Sequence, residues 1–415
     1  MNTDFTDKQR FSSAFHRCRS APHRWLILFL FLLSSSAVAQ QNRWTLTTAD
    51  FQTRQVDLVS IDDNGVSVLI KAGEAPQQIR WDSLLALDRA LEPKPSNAKF
   101  ILALTTGDQL RGEPTKIDGD TLTFNAVNLG SMTIPLKQVV AIARQVQNIP
   151  AGRDMPAEDL AVLSNGDSVR GIISALADKQ ITVQVNGTPT PVPLDSIATI
   201  LFASTNSASQ NQSRAFRIKL ADDSLVTAQS IATNEKQLVL KLTTGDATVP
   251  LDSVASIEQL NGPVSWLSSR APSQSIQTPL LATTRPAKMD RTVSNTPIRF
   301  GDRTYARGIG VAPYSKITWP LDPTQGYKAF RTRYAIDGNS PYADVSIRIL
   351  LDGKPVHERK SFTSGQLSPV VVVPLGNAKT LTLEIDFGGN YNVQDHLNWI
   401  EPALLKTMPA TPTTR

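Results

Sequence analysis

One short signature recurs four times at near-constant spacing. Ile134-Pro135-Leu136 runs into KQVVAI, Val192-Pro193-Leu194 into DSIATI and Val249-Pro250-Leu251 into DSVASI. Ile79-Arg80-Trp81, followed by DSLLAL, is a divergent further copy. The offsets between copies are 55, 58 and 57 residues. A second signature lies upstream of each: TTGDQLRG with Gly107, Asp108 and Gly112, SNGDSVRG with Gly166, Asp167 and Gly171, and the degraded TTADFQTR at Asp50 and LADDSLVT at Asp223. Two signatures in fixed order, four times over, commit much of this 415-residue chain to one small unit in tandem.

Each unit reads as all-β. In the second, Phe100–Leu104 is a strand, Thr106-Gly107-Asp108 a turn, and Thr121-Leu-Thr-Phe124 a strand after the hairpin dipeptide Asp118-Gly119. Ile134 and the run from Val139 to Ile142 supply two more. Apolar residues alternate at Ile181, Val183 and Val185, and again at Leu238, Leu240 and Leu242, so one face of each strand is buried. The Asp-Ser after Pro-Leu predicts a tight turn bonded to its own backbone. The units are placed at residues 43–90, 98–145, 159–203 and 214–260. About five short strands in so few residues resemble a small SH3-like or Sm-like barrel, a likeness of fold that assigns no function. Units this small are marginal alone, so neighbours pack together or stand as an array. Gly107 and Gly166 serve turns, because no helix follows to receive a phosphate. Linkers are expected at Glu92–Asn97, Val146–Glu158 and Ser204–Ser213, which are rich in Pro, Ser, Asn or Gln.

Charge and cysteine exclude several function classes. Lys plus Arg is 42 and Asp plus Glu is 37, but residues 1–39 carry five bases against two acids. The remainder is close to neutral, which argues against a nucleic-acid binder. That N-terminus has a polar, basic start, the apolar run Trp25–Leu33, then Ser34-Ser35-Ser36 and Ala37-Val38-Ala39. This is the pattern of a secretory signal cut after Ala39, with an uncleaved anchor as the alternative. Nine apolar residues fall short of the ~20 needed to span a bilayer, so no membrane span is expected after cleavage. The only cysteine is Cys18, and the only histidines are His16, His23, His357 and His396. Loss of the leader leaves no thiol for a cysteine zinc site, a disulfide or catalysis.

Composition changes after residue 262. All six tyrosines lie between Tyr305 and Tyr391. Phe330, Thr332, Tyr334 and Ile336 alternate with Arg331, Arg333 and Ala335. Val345 to Leu351 runs into the hairpin turn Asp352-Gly353, and Leu381, Leu383, Ile385 and Phe387 alternate with polar residues. About eight strands and no convincing helix predict a β-sandwich. The motifs Tyr305-Ala-Arg-Gly-Ile-Gly310, Tyr327-Lys-Ala-Phe330, Ala335-Ile-Asp337, Val345-Ser-Ile-Arg-Ile-Leu-Leu-Asp-Gly353, Leu381-Thr-Leu-Glu-Ile and Asp395-His-Leu-Asn-Trp399 come in order. Together they resemble the NPCBM domain, a carbohydrate-binding module first noted beside family 98 glycoside hydrolases, over residues 263–406. The resemblance implies a galactose-binding-like jelly-roll sandwich with ligands taken by loops at one end. Ala312 stands where that family tends to carry His, and Asp337-Gly338 where it carries Asp-Asp.

Sugar recognition needs an aromatic platform for the ring face and polar groups for hydroxyls. Asp395, His396, Asn398 and Trp399 offer both. Tyr391 in the Gly388-Gly389-Asn390 loop adds another aromatic, and Asp337 another carboxylate. Two readings stand for Trp399, sugar platform or sandwich core, while Tyr305, Tyr327 and Tyr334 read as core. The expected fold is therefore all-β, tandem small β-barrel-like repeats followed by a galactose-binding-like jelly-roll sandwich, with a disordered tail at 407–415. The expected function is that of an exported non-enzymatic protein, secreted, periplasmic or in the cell envelope, that binds a carbohydrate or glycosylated surface. The alternative is a structural protein with a protein partner on the β repeats and a sandwich that no longer holds sugar. A glycosidase needs paired carboxylates in a large catalytic domain, and no length remains for one. No cofactor is implied, although four acidic turns leave a bracing calcium open.

Overall fold

The computed structural model describes residues 43–92, 94, 96–144, 156–203, 213–278, 284–338, 340–389 and 394–408. The expected signal at 1–39, Tyr391, residues 409–415 of the tail and most of the second and third linkers lie outside them. Every described element is a strand or a short 3-10 turn, and every pairing is antiparallel.

The repeats share one strand order. In the second, Gln109–Asp118 pairs on one side with Phe100–Leu104 and on the other with Thr121–Ala126, which pairs with Gly130–Pro135. A 3-10 turn at Leu136–Gln138 carries the chain to Val139–Ala143, which returns to pair with Phe100–Leu104. The first repeat repeats this with Trp44–Thr48, Thr53–Asp62, Gly65–Leu69, Gln77–Arg80 and Leu84–Asp88. Among the described residues no pairing joins the fourth strand to the fifth. The sheets thus stay open, where closed small barrels were expected. Sequence explains the corners. Ser196 and Ser253 each donate a hydroxyl back to the Pro carbonyl three residues earlier, at 2.7 Å, closing the Pro-Leu-Asp-Ser turn. Gly107 has φ +84°, a conformation glycine adopts without a Cβ penalty.

The repeats pair out of sequence order. The last strand of repeat 2 adds to that of repeat 3 (Ala141–Ala143 against Thr199–Leu201), and the last strand of repeat 1 to that of repeat 4 (Ala86–Asp88 against Ser256–Glu258). Each pair has a second, matching contact. Ile117 pairs with Leu176, and the Ile61 amide donates to the Thr233 hydroxyl at 2.8 Å. Pairing these outer strands removes edges that would otherwise template aggregation. The Asp108 carboxylate accepts the Thr227 hydroxyl at 2.6 Å and ties repeat 2 to repeat 4. One continuous core, from Trp44 and Leu87 through Phe100 and Phe124 to Ile257, runs under all four units.

The sandwich has two sheets. One holds Lys288–Met289, Gly308–Val311, Leu397–Leu405, Ala329–Ile336 and Val371–Pro374 in that order, with Val264–Trp266 on the far half of Leu397–Leu405. The other holds Gln274–Gln277, Ser315–Pro320, Thr380–Phe387, Asp344–Leu351 and Lys354–Thr363. Trp319, Phe330, Ile347, Leu383 and Trp399 fill the space between them.

Alternation in Ala329–Ile336 predicts one buried face, yet both faces are buried. The outer face is covered by repeat 1 and by the hairpin of Ile298–Phe300 with Arg303–Tyr305. Phe51 of repeat 1 lies edge-on to Trp266 at 5.9 Å, and the Arg331 guanidinium sits 3.7 Å above its ring. Arg307 of the sandwich binds both Glu258 of repeat 4 and Asp290. The described residues from Trp44 to Met408 consequently form one compact unit.

Candidate functional site

At one end of the sandwich, backbone and carboxylates knit three connections together. The Asp337 amide donates to the His396 carbonyl at 2.9 Å, and the Asp344 amide to Asp395 Oδ1 at 3.0 Å. Asp344 in turn accepts the Gly389 amide on Oδ2 at 2.9 Å and the Ser361 hydroxyl at 3.3 Å. Gly388 is required here, because a Cβ would come within 2.3 Å of the Asp344 carbonyl oxygen. The loops after Ala329–Ile336 and Thr380–Phe387 are therefore held at the start of Asp344–Leu351 by two acids.

Asp395 is fully buried, and burial pushes its carboxyl up to about 6. The Asp344 amide opposes that rise, and the Asp344 carboxylate adds to it. Burial also lowers the His396 imidazole, and the neighbouring Arg285 lowers it further. Arg285 Nη1 stands 3.1 Å from His396 Nε2. A guanidinium only donates, so Nε2 accepts and the ring proton is on Nδ1. Four buried oxygens, Asp344 Oδ1, Asp395 Oδ2, Asn398 Oδ1 and Ser340 Oγ, have no hydrogen-bond partner among the described residues. A buried acceptor left this way costs about 1–3 kcal/mol unless something answers it.

Of the residues expected at the site, Asp337, Asp395 and His396 are brought together at this end. Trp399 is 1% exposed and packs edge-on to Tyr334 at 5.8 Å inside the sandwich, so of its two readings the structure takes the core. Asn398 lies on the other face of the same strand, buried. Tyr391 is outside the described residues. Sequence reasoning passed over two aromatics. Tyr342 is 71% exposed, two residues before Asp344, and Tyr314 is half exposed and packs at a tilt against Phe387 with ring centroids 5.2 Å apart. Neither lies on a periodic pattern. Their only signal is position, Tyr314 after Pro313 and Tyr342 after Pro341.

The arrangement supplies exposed aromatic faces, buried carboxylates and a neutral imidazole, the groups that recognise a polyhydroxylated ring. Among the described residues no group of three or more His, Cys, Asp or Glu side chains is placed to hold a metal. The acidic turns of the repeats are structural in part: Asp108 bonds Thr227, and Asp222 accepts the amide and hydroxyl of Ser224. No helix among the described residues is long and apolar enough to cross a membrane.

The chain was compared with known proteins. No curated protein matches it. Solved structures similar to it include the CBM51 from Clostridium perfringens GH95 in complex with methyl-galactose. That match has 22% identity, 34% of this chain, 99% of that one and a TM-score of 0.31. The CBM51-2 and INT domains of Clostridium perfringens ZmpB in complex with GlcNAc match at 23% identity, over 42% of this chain and 37% of that one, with a TM-score of 0.31. The tandem CBM51 modules of a family 98 glycoside hydrolase from Streptococcus pneumoniae match at 12% identity, over 60% and 88%, with a TM-score of 0.31. The NPCBM/NEW2 domain model matches residues 264–405, almost the interval over which the sequence motifs run. Those residues are an NPCBM/NEW2 domain.

Proposed function

We propose that this is an exported, non-enzymatic carbohydrate-binding protein. Its sandwich takes a sugar or glycan at the loop end, and the four β repeats, SH3-like or Sm-like units with open sheets, form the scaffold that carries it. One observation carries the reading: inside an NPCBM/NEW2 domain, the exposed Tyr342 stands two residues before Asp344, and Asp344, Asp395, Asn398 and Ser340 each carry a buried oxygen with no hydrogen-bond partner among the described residues. Sugar hydroxyls are suitable donors for such acceptors, and an aromatic face suits the apolar side of a pyranose. The basic, apolar and small-residue pattern of residues 1–39 supports export. The packing of repeats 1 and 4 against the sandwich supports a scaffold role over that of a loose spacer.

The test is a glycan array probed with the full chain, with and without calcium, followed by Tyr342→Ala, Tyr391→Ala and Asp395→Ala. A hit confined to one terminal sugar and lost in Tyr342→Ala is expected. Silence across the array from folded protein would count against the reading. A second reading, that of a structural protein with protein partners on the repeats, is favoured by the burial of Trp399 and Asn398. Its contact edge is not the Thr188–Pro193 strand, where proline at every second position removes amide donors an added strand would need.

A further inference from the structure

Repeat 1 differs from its three copies in its wall. Shared hydrogen bonds give the equivalent positions. The Thr48 amide bonds the Gln52 carbonyl just as Leu104 bonds Asp108, Leu163 bonds Asp167 and Leu220 bonds Ser224. Thr48 thus replaces a leucine found in the other three. Arg54 faces Leu46 as Leu110 faces Leu102, Val169 faces Ala161 and Val226 faces Ile218. A hydroxyl and an exposed cation stand where the sibling repeats have apolar side chains. A cavity of about 320 Å³ opens at this wall. Its apolar floor includes the buried Leu46 and Val68 and the only half-buried Ile70 and Ile79. Its charged lining is Asp50, Asp82 and Arg54.

The last strand of the sandwich delivers the chain to this cavity. Val264–Trp266 pairs with Ala403–Leu405, Trp266 meets Phe51 next to Asp50, and Thr407 is itself part of the lining. Met408 follows, half exposed, and after it the sequence reads PATPTTR. These residues fit the cavity in three ways. Extended at ~3.1 Å per residue, seven residues reach about 20 Å, more than a space of this volume spans. Pro409 and Pro412 are three apart, the repeat of a polyproline II helix, which sets both rings on one face at little cost in chain entropy. The only charge in the segment is Arg415, and the lining holds two carboxylates against one guanidinium. Asp50 accepts only the Thr48 hydroxyl, and the Arg80 that pairs with Asp82 at 3.4 Å is exposed and outside the lining.

We infer that the occupant of the repeat 1 cavity is this chain's own segment 409–415. The proline face covers the apolar floor, in the space that leucine and valine fill in the sibling repeats, and Arg415 answers the excess carboxylate. The segment thereby straps the sandwich to repeat 1. It does so at the opposite end of Leu397–Leu405 from the loop end, and its test is independent of any sugar.

Backbone order parameters from nitrogen relaxation of the full chain test the strap. Values of about 0.8 are expected at Ala410, Thr411 and Thr413, against under about 0.6 for a free tail. Thr48→Leu with Arg54→Leu rebuilds the wall of repeat 2 and fills the cavity, so the same amides should fall below about 0.6. Pro409→Gly and Pro412→Gly with Arg415→Glu alter no residue of either core, so that variant should keep the fold and free the tail equally. The uncharged dye N-phenyl-1-naphthylamine should find no saturable site on the full chain and one equivalent on a chain ending at Met408. A tail already free in the full chain, as its composition alone predicts, overturns the strap. So does order that survives Thr48→Leu with Arg54→Leu, which would seat the tail elsewhere. Saturable dye binding to the full chain would give the cavity to a small apolar molecule, and tail order lost on tenfold dilution would give it to the tail of a second copy; either overturns the assignment.

Discussion

Replacing Asp395 by Asn tests whether the loop end of the sandwich really buries a charge. In the folded chain this carboxyl is raised from 3.8 to about 6, mainly by burial. The folded state thus binds the proton more tightly than the unfolded state. The charge costs nothing below the unfolded value, costs progressively more between about pH 4 and 6, and reaches its full penalty above 6. Fully ionised, a displacement of that size is worth about 3 kcal/mol as an upper value, and the partnerless NH2 group that Asn would bury lowers the net gain to about 1–2 kcal/mol. Asn keeps an oxygen for the Asp344 amide and removes the charge. Asp395→Asn should therefore stabilise the chain by about 1–2 kcal/mol at pH 7.5 and by well under half of that at pH 4.5. Urea unfolding followed by tryptophan fluorescence at both pH values reads the difference as a shift in midpoint at constant slope. A gain that is the same at both pH values, or a loss at pH 7.5, would refute the buried-charge argument. If the variant is more stable and also loses glycan binding, the residue is held at a cost in stability for its role at the site.

Three further outcomes follow from the packing. Arg307→Ala should destabilise by about 1–3 kcal/mol in thermal or urea unfolding, because the half-buried Glu258 and Asp290 lose their shared cation and keep only the Trp266 indole and the Gly308 amide as donors. A change under 1 kcal/mol would mean that water replaces the guanidinium freely. Gly107→Ala should cost about 1–2 kcal/mol, since φ +84° strains any residue with a Cβ, although nothing crowds the site closer than Arg217 Nη2 at 3.5 Å. Secreted protein should begin at Gln40 and migrate identically with and without reductant, as Cys18 leaves with the leader; a reductant-dependent shift would show that the leader is retained.

The sequence by itself determined the local structure. Turn chemistry at Gly107, Gly166, Asp118-Gly119, Asp352-Gly353 and the Pro-Leu-Asp-Ser corners is written in neighbouring residues, because φ preferences and short side-chain bonds act within a few positions. Period-two alternation marked most of the strands and their buried faces for the same reason. The motifs over residues 263–406 also marked the interval of the NPCBM/NEW2 domain. Tertiary structure decided what depends on partners far along the chain. That repeat 1 pairs with repeat 4 and repeat 2 with repeat 3 cannot be read from copies that look alike, since any last strand offers the same edge. Alternation in Ala329–Ile336 predicted an exposed face for Arg331, and Phe51, some 280 residues earlier, covers it. Trp399 carries the same side chain whether it serves a core or a platform, and only the opposing sheet settles which. Tyr342, Tyr314 and the cavity beside Arg54 follow the same logic: exposure and emptiness are properties of what surrounds a residue, and the surroundings are assembled only when the chain folds.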